Sequence, residues 1–207
     1  YVVDYDTELY VTFRNVTLVS GTQTLYSGFI GGYASGQDAV NIVKCTIEPG
    51  VIIGYDKSQS HIGSFGGEFN GYIQNSTSAA TVYGVNYAGG LVGNKGQSMG
   101  DFEITGSSFT GTLYATGKCV GGIVGGGYDN GTAPNGVRPT IQNCVSTGTI
   151  TGNEHVGGIL GGDGFVAQAW NSYDLTGNTF SGKVSGNKNV GAIIGYYRSL
   201  NKFDNIA

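Results

Sequence analysis

The sequence predicts an all-β fold, a parallel β-solenoid, and three observations predict it. A short glycine-rich string returns six times along the chain. A second column of small and apolar residues keeps the same register. Glycine supplies 39 of the 207 residues and proline only 3, a balance that suits tight turns and closely packed strands and excludes collagen and Pro-rich linkers. A charged fraction of 12 % with an equal aromatic fraction and a net charge of −4 is the composition of a folding chain, since disorder goes with high net charge and few aromatics.

The string reads Ile30-Gly31-Gly32-Tyr33-Ala34, Ile62-Gly63-Ser64-Phe65-Gly66-Gly67, Ala88-Gly89-Gly90-Leu91-Val92-Gly93, Val120-Gly121-Gly122-Ile123-Val124-Gly125, Val156-Gly157-Gly158-Ile159-Leu160-Gly161 and Val190-Gly191-Ala192-Ile193-Ile194-Gly195. Its first glycines stand at 31, 63, 89, 121, 157 and 191, a mean spacing of 32 residues. A fixed period in this range marks repeat architectures. Upstream of each copy lies a small residue (Gly21, Gly50, Ala80, Gly111, Gly148, Gly182), followed two places on by Gln23, Ile52, Val82, Leu113, Ile150 and Val184.

Within a unit, Thr147-Gly148-Thr149-Ile150-Thr151 alternates with period two, Gly152-Asn153-Glu154 is a polar turn, and Thr140-Ile141-Gln142-Asn143 is a further short strand. The nearest approach to a helical pattern is Phe165–Trp170, one or two turns at most. A unit of this size cannot bury an apolar face alone. Stacked on its copies it can, each strand pairing with its equivalents about 4.8 Å above and below. The expectation is about six coils of about 32 residues, right-handed by the crossover preference, with glycines letting two walls approach closely. A propeller blade would need about 40 residues or more.

The string at Gly89–Gly93, Gly121–Gly125 and Gly157–Gly161 resembles the GLUG motif, a short repeat of large bacterial secreted and surface proteins that include adhesins, haemagglutinin-like proteins and non-catalytic regions of IgA-specific metallopeptidases. Gly191–Gly195 fits with Ala192 in place of the second glycine, and the copies at Gly31 and Gly63 are degenerate. The resemblance implies an extracellular or cell-surface bacterial setting and carries no catalytic or ligand residues with it.

Composition excludes several function classes. A pI near 5.0 with ten basic residues dispersed along the chain gives no footprint for nucleic acid. The longest apolar runs, such as Val51-Ile52-Ile53 and Gly191-Ala192-Ile193-Ile194, fall far short of a membrane-spanning helix of about 20 residues. Cys45, Cys119 and Cys144 are too few for a disulfide framework; one bridge or three buried thiols would both satisfy the count.

His61 and His155 share the column Phe29, His61, Tyr87, Cys119, His155, Asn189. Three coils, about 14 Å, separate the two histidines, too far to share a metal. Cys119 lies one coil from His155, and no acid shares their column. Asp4, Asp6 and Glu8 alternate on one strand as an edge guard against pairing. Asp129 and Asp163, with Asn130, are the residues to consider for calcium, and no other metal or cofactor is expected. Gly111 to Gly117-Lys118-Cys119 has the wrong spacing for a phosphate loop. The threonines Thr110, Thr112, Thr147 and Thr149 form a ladder only two coils deep.

Loops after the string vary in length, and such insertions gather on one face of a solenoid. That face would collect the candidate ligand-binding residues Tyr128, Asp129, Asn130, Trp170, Asn171, Tyr173 and Tyr196, aromatics and amides suited to sugar rings or protein loops. The expected organisation is a single domain over 1–207, with 1–17 as a cap or first strand, 18–196 as coils and 197–207 as the end, cut from a larger protein. The expected function is a non-catalytic structural or adhesive module binding host glycan or protein beside neighbouring domains of its own polypeptide. Alternatives are a β-helix lyase or glycosidase with acids between Asp129 and Asp174, and an accessory domain of a secreted peptidase.

Overall fold

The computed structural model describes residues 11–34, 40–96, 101–127, 139–162 and 174–197. They form an all-β parallel β-solenoid of about five turns, each of about 31 residues, without a helix. Each full coil crosses five parallel sheets in succession. The first sheet stacks Val11–Arg14, Val40–Val43, Gly71–Gln74, Phe102–Thr105 and Thr140–Gln142. The second runs from Thr17–Leu18 to Thr179–Phe180, and the third from Gln23–Thr24 to Lys183–Ser185; both are six strands deep. The fourth stacks Ala88–Gly89, Lys118–Gly121, Glu154–Gly157 and Lys188–Gly191, and the fifth runs six deep from Ile30–Ala34 to Ile194–Tyr196. Six layers at the usual inter-strand rise span roughly 24 Å.

The glycine string joins the fourth sheet to the fifth through two bent residues in each coil. Its fourth residue points inward, and the column Phe65, Leu91, Ile123, Ile159 is fully buried. Phe29 belongs to this column: its ring lies 5.2 Å from that of Phe65, Ile30 pairs with Gly66, and Ile30 N–H donates to the Phe65 carbonyl. The first copy of the string is therefore Ser27-Gly28-Phe29-Ile30-Gly31 instead of Ile30–Ala34, and Phe29 does not stand in line with His61. The second glycine of the string gives way to aromatic core. A Cβ on Gly90 would come closer than 3.0 Å to the Phe109 ring and the Gly122 carbonyl, and one on Gly158 would do the same to Phe180 and Ala192. The expected close approach of two walls is thus a packing of backbone on ring.

The third sheet corrects the upstream column in the first two coils. Ile53, not Ile52, pairs with Val82, and Thr24, not Gln23, pairs with Ile53. Val82, Leu113 and Ile150 continue the buried row. The corner between the second and third sheets is longer in these two coils. Gly21 and Gly50 occupy it with φ of 88° and 87°, so they are turn residues and do not align with Ala80.

A second column escaped the sequence reading. Asn15, Lys44, Asn75, Gly106, Asn143 and Gly177 turn the chain from the first sheet to the second, all with φ between 50° and 69°. Asn and Gly enter this left-handed region at least cost. From the second coil onward the next residue (Cys45, Ser76, Ser107, Cys144, Asn178) turns inward and builds a polar ladder, whereas Val16 of the first coil stays exposed. The N–H of Cys45 donates to Ser76 Oγ at 3.1 Å, that of Ser76 to Ser107 Oγ at 3.1 Å, and that of Cys144 to Asn178 Oδ1 at 2.9 Å. Ser107 N–H reaches the Cys144 sulfur. The serine and cysteine side chains donate back to a carbonyl of their own coil, Ser107 Oγ to Thr105 at 3.0 Å and Cys144 Sγ to Gln142 at 3.3 Å, while Asn178 Nδ2 donates to Ile141 of the preceding coil at 2.6 Å. Serine and cysteine are interchangeable here because either accepts one N–H and donates one hydrogen. None of the three cysteines forms a disulfide, in line with the buried-thiol alternative, and burial pushes the Cys144 thiol up to about 11 against the backbone donors that lower it.

Candidate functional site

Of the candidate ligand residues, Tyr128, Asp129, Asn130, Trp170, Asn171 and Tyr173 lie outside the described residues, as do the calcium candidate Asp163, the acidic strand Asp4, Asp6 and Glu8, and the short Phe165–Trp170 segment. Their points of departure are fixed by the neighbouring strands. Segments 35–39, 97–100, 128–138 and 163–173 all follow the fifth sheet, leaving it after Ala34, Lys95, Gly127 and Gly162. Variable insertion at one point of the coil is therefore present, with one further insertion between Ile53 and Ile62 in the second coil. Asp174 is taken up by the coil, accepting from Gln142 Nε2 at 2.8 Å and Thr176 Oγ1 at 2.6 Å.

Tyr196 is the one candidate that the structure describes, and it lies against a site the loop argument did not anticipate. His61, Tyr87, Cys119, His155 and Asn189 open the fourth-sheet layers as a column, each with φ between 50° and 60°. The His155 ring stacks on Tyr196, centroids 4.2 Å apart and planes 11° from parallel. His61 lies 4.9 Å from the Tyr87 ring, and its Nε2 is buried without a hydrogen-bond partner. Cys119 Sγ stands 3.8 Å from His155 Nδ1. On the far side of the ring, His155 Nε2 is 3.3 Å from Glu154 Oε1, which also takes Lys188 Nζ at 2.6 Å. With its proton on Nε2 facing the carboxylate, the imidazole presents Nδ1 to the thiol as an acceptor.

The orienting acid, Glu154, sits one residue before the histidine column and so has no place in that column. Lys118, Glu154 and Lys188 pair in register as a column of alternating charge. The dipeptides Lys118-Cys119, Glu154-His155 and Lys188-Asn189 carry this signal in the sequence. Left-handed backbone at His155 breaks strand alternation, so neighbouring side chains meet. The Lys188 ammonium holds the half-buried Glu154 carboxyl below its usual range.

Both histidines are held below the ordinary 6.5: His61 by burial, and His155 first by burial, which the Glu154 charge opposes and the Lys188 and Lys118 charges reinforce. Their neutral forms suit the fold. As pH falls below 6.5 the unfolded chain takes up protons that the folded chain refuses, so stability present above 6.5 is lost on the way down to the folded values and then levels off. The urea midpoint should therefore drop between about pH 7 and pH 5. A His61→Asn, His155→Asn variant, with asparagine suited to the left-handed corner, should show a flat profile there. A slope that survives in the variant would assign the effect to carboxylates.

The outer face of the second and third sheets is richer in hydroxyls than the sequence suggested. Thr17, Thr46, Thr77 and Ser108 form one register column, interrupted at Val145 and resumed at Thr179. Thr81, Thr112 and Thr149 form another, three deep where the sequence reading stopped at two. Beside them the Tyr83 and Tyr114 rings stack at 5.7 Å, with Lys57 Nζ 4.8 Å from the Tyr83 centroid.

No curated protein and no solved structure matches the chain. A family model does match the stretch that contains Cys119, the string Gly121–Gly125 and the polar-ladder cysteine Cys144: residues 116–151 carry the GLUG motif.

Proposed function

We propose that this chain is a non-catalytic structural and adhesive module of a bacterial extracellular or cell-surface protein, binding host glycan or protein through the loops that leave the fifth sheet. The observation that carries the reading is the division of labour along each coil. Glycine strings, left-handed corners and buried ladders repeat from layer to layer, while the segments after the fifth-sheet strands differ in length and content. A rigid stack of this kind is stabilised by nearest-neighbour contacts and can lengthen without redesign. The GLUG motif, typical of bacterial surface proteins, supports the setting. The aromatic and amide residues Tyr128, Asn130, Trp170, Asn171 and Tyr173 on those segments suit sugar rings, offering large contact area at small entropic cost.

The test is binding to a glycan array and to mucin, wild type against Trp170→Ala. Loss of about tenfold or more is expected if Trp170 anchors the interaction. Equal signals would remove the loop face from consideration. A cleft enzyme would instead turn over an oligosaccharide, with activity abolished by Asp129→Asn or Asp163→Asn.

A further inference from the structure

Two left-handed columns run along this solenoid, one six residues deep from Asn15 and the other five deep from His61, and they differ in composition. The corner between the first and second sheets is filled mainly by Asn and Gly, residues that enter the conformation readily. The corner opening the fourth sheet holds His61, Tyr87, Cys119, His155 and Asn189; the histidines and Asn189 suit the conformation, but Tyr87 and Cys119 have no such advantage. The fifth sheet makes room for them by omission. A Cβ on Gly126 would stand 3.3 Å from Cys119 Cβ and 3.0 Å from Tyr87 Cδ1, and one on Gly162 would stand 3.4 Å from His155 Cβ.

We infer that Cys119 and His155 form a two-ligand site for a soft monovalent cation of the Cu(I) class, bound by Sγ and Nδ1, with Glu154 orienting the imidazole from Nε2. Thiolate and imidazole are the ligands such ions select. The 3.8 Å separation of the two atoms is less than the roughly 4.3 Å sum of ordinary metal–sulfur and metal–nitrogen bonds. An ion therefore fits between them at a bent angle of about 120°, opening toward linear if the ligands part by about 0.5 Å.

Charge decides the valence. Cys119 has no exposed surface. A thiolate with a monovalent cation is neutral, whereas a divalent ion would leave a net positive charge in a buried site. Coordination number agrees: zinc asks for four ligands, and among the described residues no group of three or more His, Cys, Asp or Glu is placed to hold a metal. Metal-ligating histidines usually give the other ring N–H to a carboxylate, the arrangement His155 already has with Glu154 at 3.3 Å. On binding, the thiol proton leaves to solvent and the S–metal bond replaces the S–H bond, so one proton is released per ion.

The experiment titrates the folded chain anaerobically with Cu(I) presented by a chromogenic chelator, and repeats the titration with Ag(I) as a redox-silent probe. The reference is a Cys45→Ser, Cys144→Ser variant, which the polar ladder tolerates because serine already occupies it at Ser76 and Ser107. That variant should withdraw one equivalent from the chelator. Adding Cys119→Ser or His155→Asn should weaken binding by about 100-fold, and Glu154→Gln by about 10-fold. His155→Asn keeps the corner, since Asn189 holds the equivalent place, so it decides the matter should Cys119→Ser fail to fold. Unchanged affinity in His155→Asn would reduce the site to a thiol alone and overturn the inference. So would equal competition by Zn(II), or binding that disappears in the reference variant.

Discussion

Gly121→Ala should cost at least about 3 kcal/mol, the upper end of the usual overpacking penalty, and lower Tm by roughly 6–12 °C for a chain of this size. The added methyl would meet the carbonyl oxygens of Val124 and Ile159 and the amide nitrogen of Gly161, all closer than 3.0 Å. A flexible side chain could swing away, but these are backbone atoms held in parallel ladders on both sides. Val124 N–H donates to the Ile159 carbonyl at 3.0 Å, and Ile159 N–H to that of Ile193 at 3.0 Å. Displacing one layer therefore disturbs the next. Gly21→Ala is the comparison: its φ of 88° penalises alanine, yet the methyl would find nothing within 4 Å, so the loss should stay near 1–2 kcal/mol. Thermal melts of the two variants separate crowding from backbone conformation. Equal shifts would mean that the string's glycines serve the turn and not the stacking.

The same crowding explains how far the fold could be read before the structure was known. Five copies of the string, from Gly63/Gly67 to Gly191/Gly195, carry their first and last glycines in register, because a Cβ at those places meets backbone of its own or a neighbouring layer. Periodicity of that origin is visible in any sequence. The first coil obeyed it less strictly: the fifth-sheet register shifts between Ile30 and Tyr33, and Ser27 stands where a glycine would, its Oγ accepting the Gly63 N–H at 3.3 Å. The pair Gly31-Gly32 then offered a false anchor four residues downstream. The extended corners at Gly21 and Gly50 displaced the upstream column for a similar reason, since insertions at a corner leave strand pairing intact while moving every residue number. Cys119 and His155 were visible as neighbours because they share a column. Glu154 was not, because left-handed backbone brings together side chains that alternation would place on opposite faces. The loop residues around Trp170 differ from copy to copy and offer no column to align.

Phe109→Ala tests whether the interior is one continuous core or a stack of nearly independent layers. Phe109 is fully buried, and in its register column it stands between two serines, Ser78 and Ser146. Its ring fills the space over Gly90 and Gly148, where a Cβ on either would come closer than 3.0 Å to it. Neither serine can swell into the vacancy, and both glycine backbones are fixed by their ladders, so the cavity should persist. The expected loss is about 3–5 kcal/mol. Phe180 occupies the same position two layers on, at the last second-sheet strand, where it is only half-buried. Phe180→Ala should therefore cost about half as much, since a partly exposed ring has less apolar contact to lose. Urea midpoints with the slope held fixed measure both. Nearest-neighbour stacking predicts this gradient from centre to end; equal losses at Phe109 and Phe180 would show that the terminal layer is covered as completely as the middle, and the additive account of the rod would have to be abandoned.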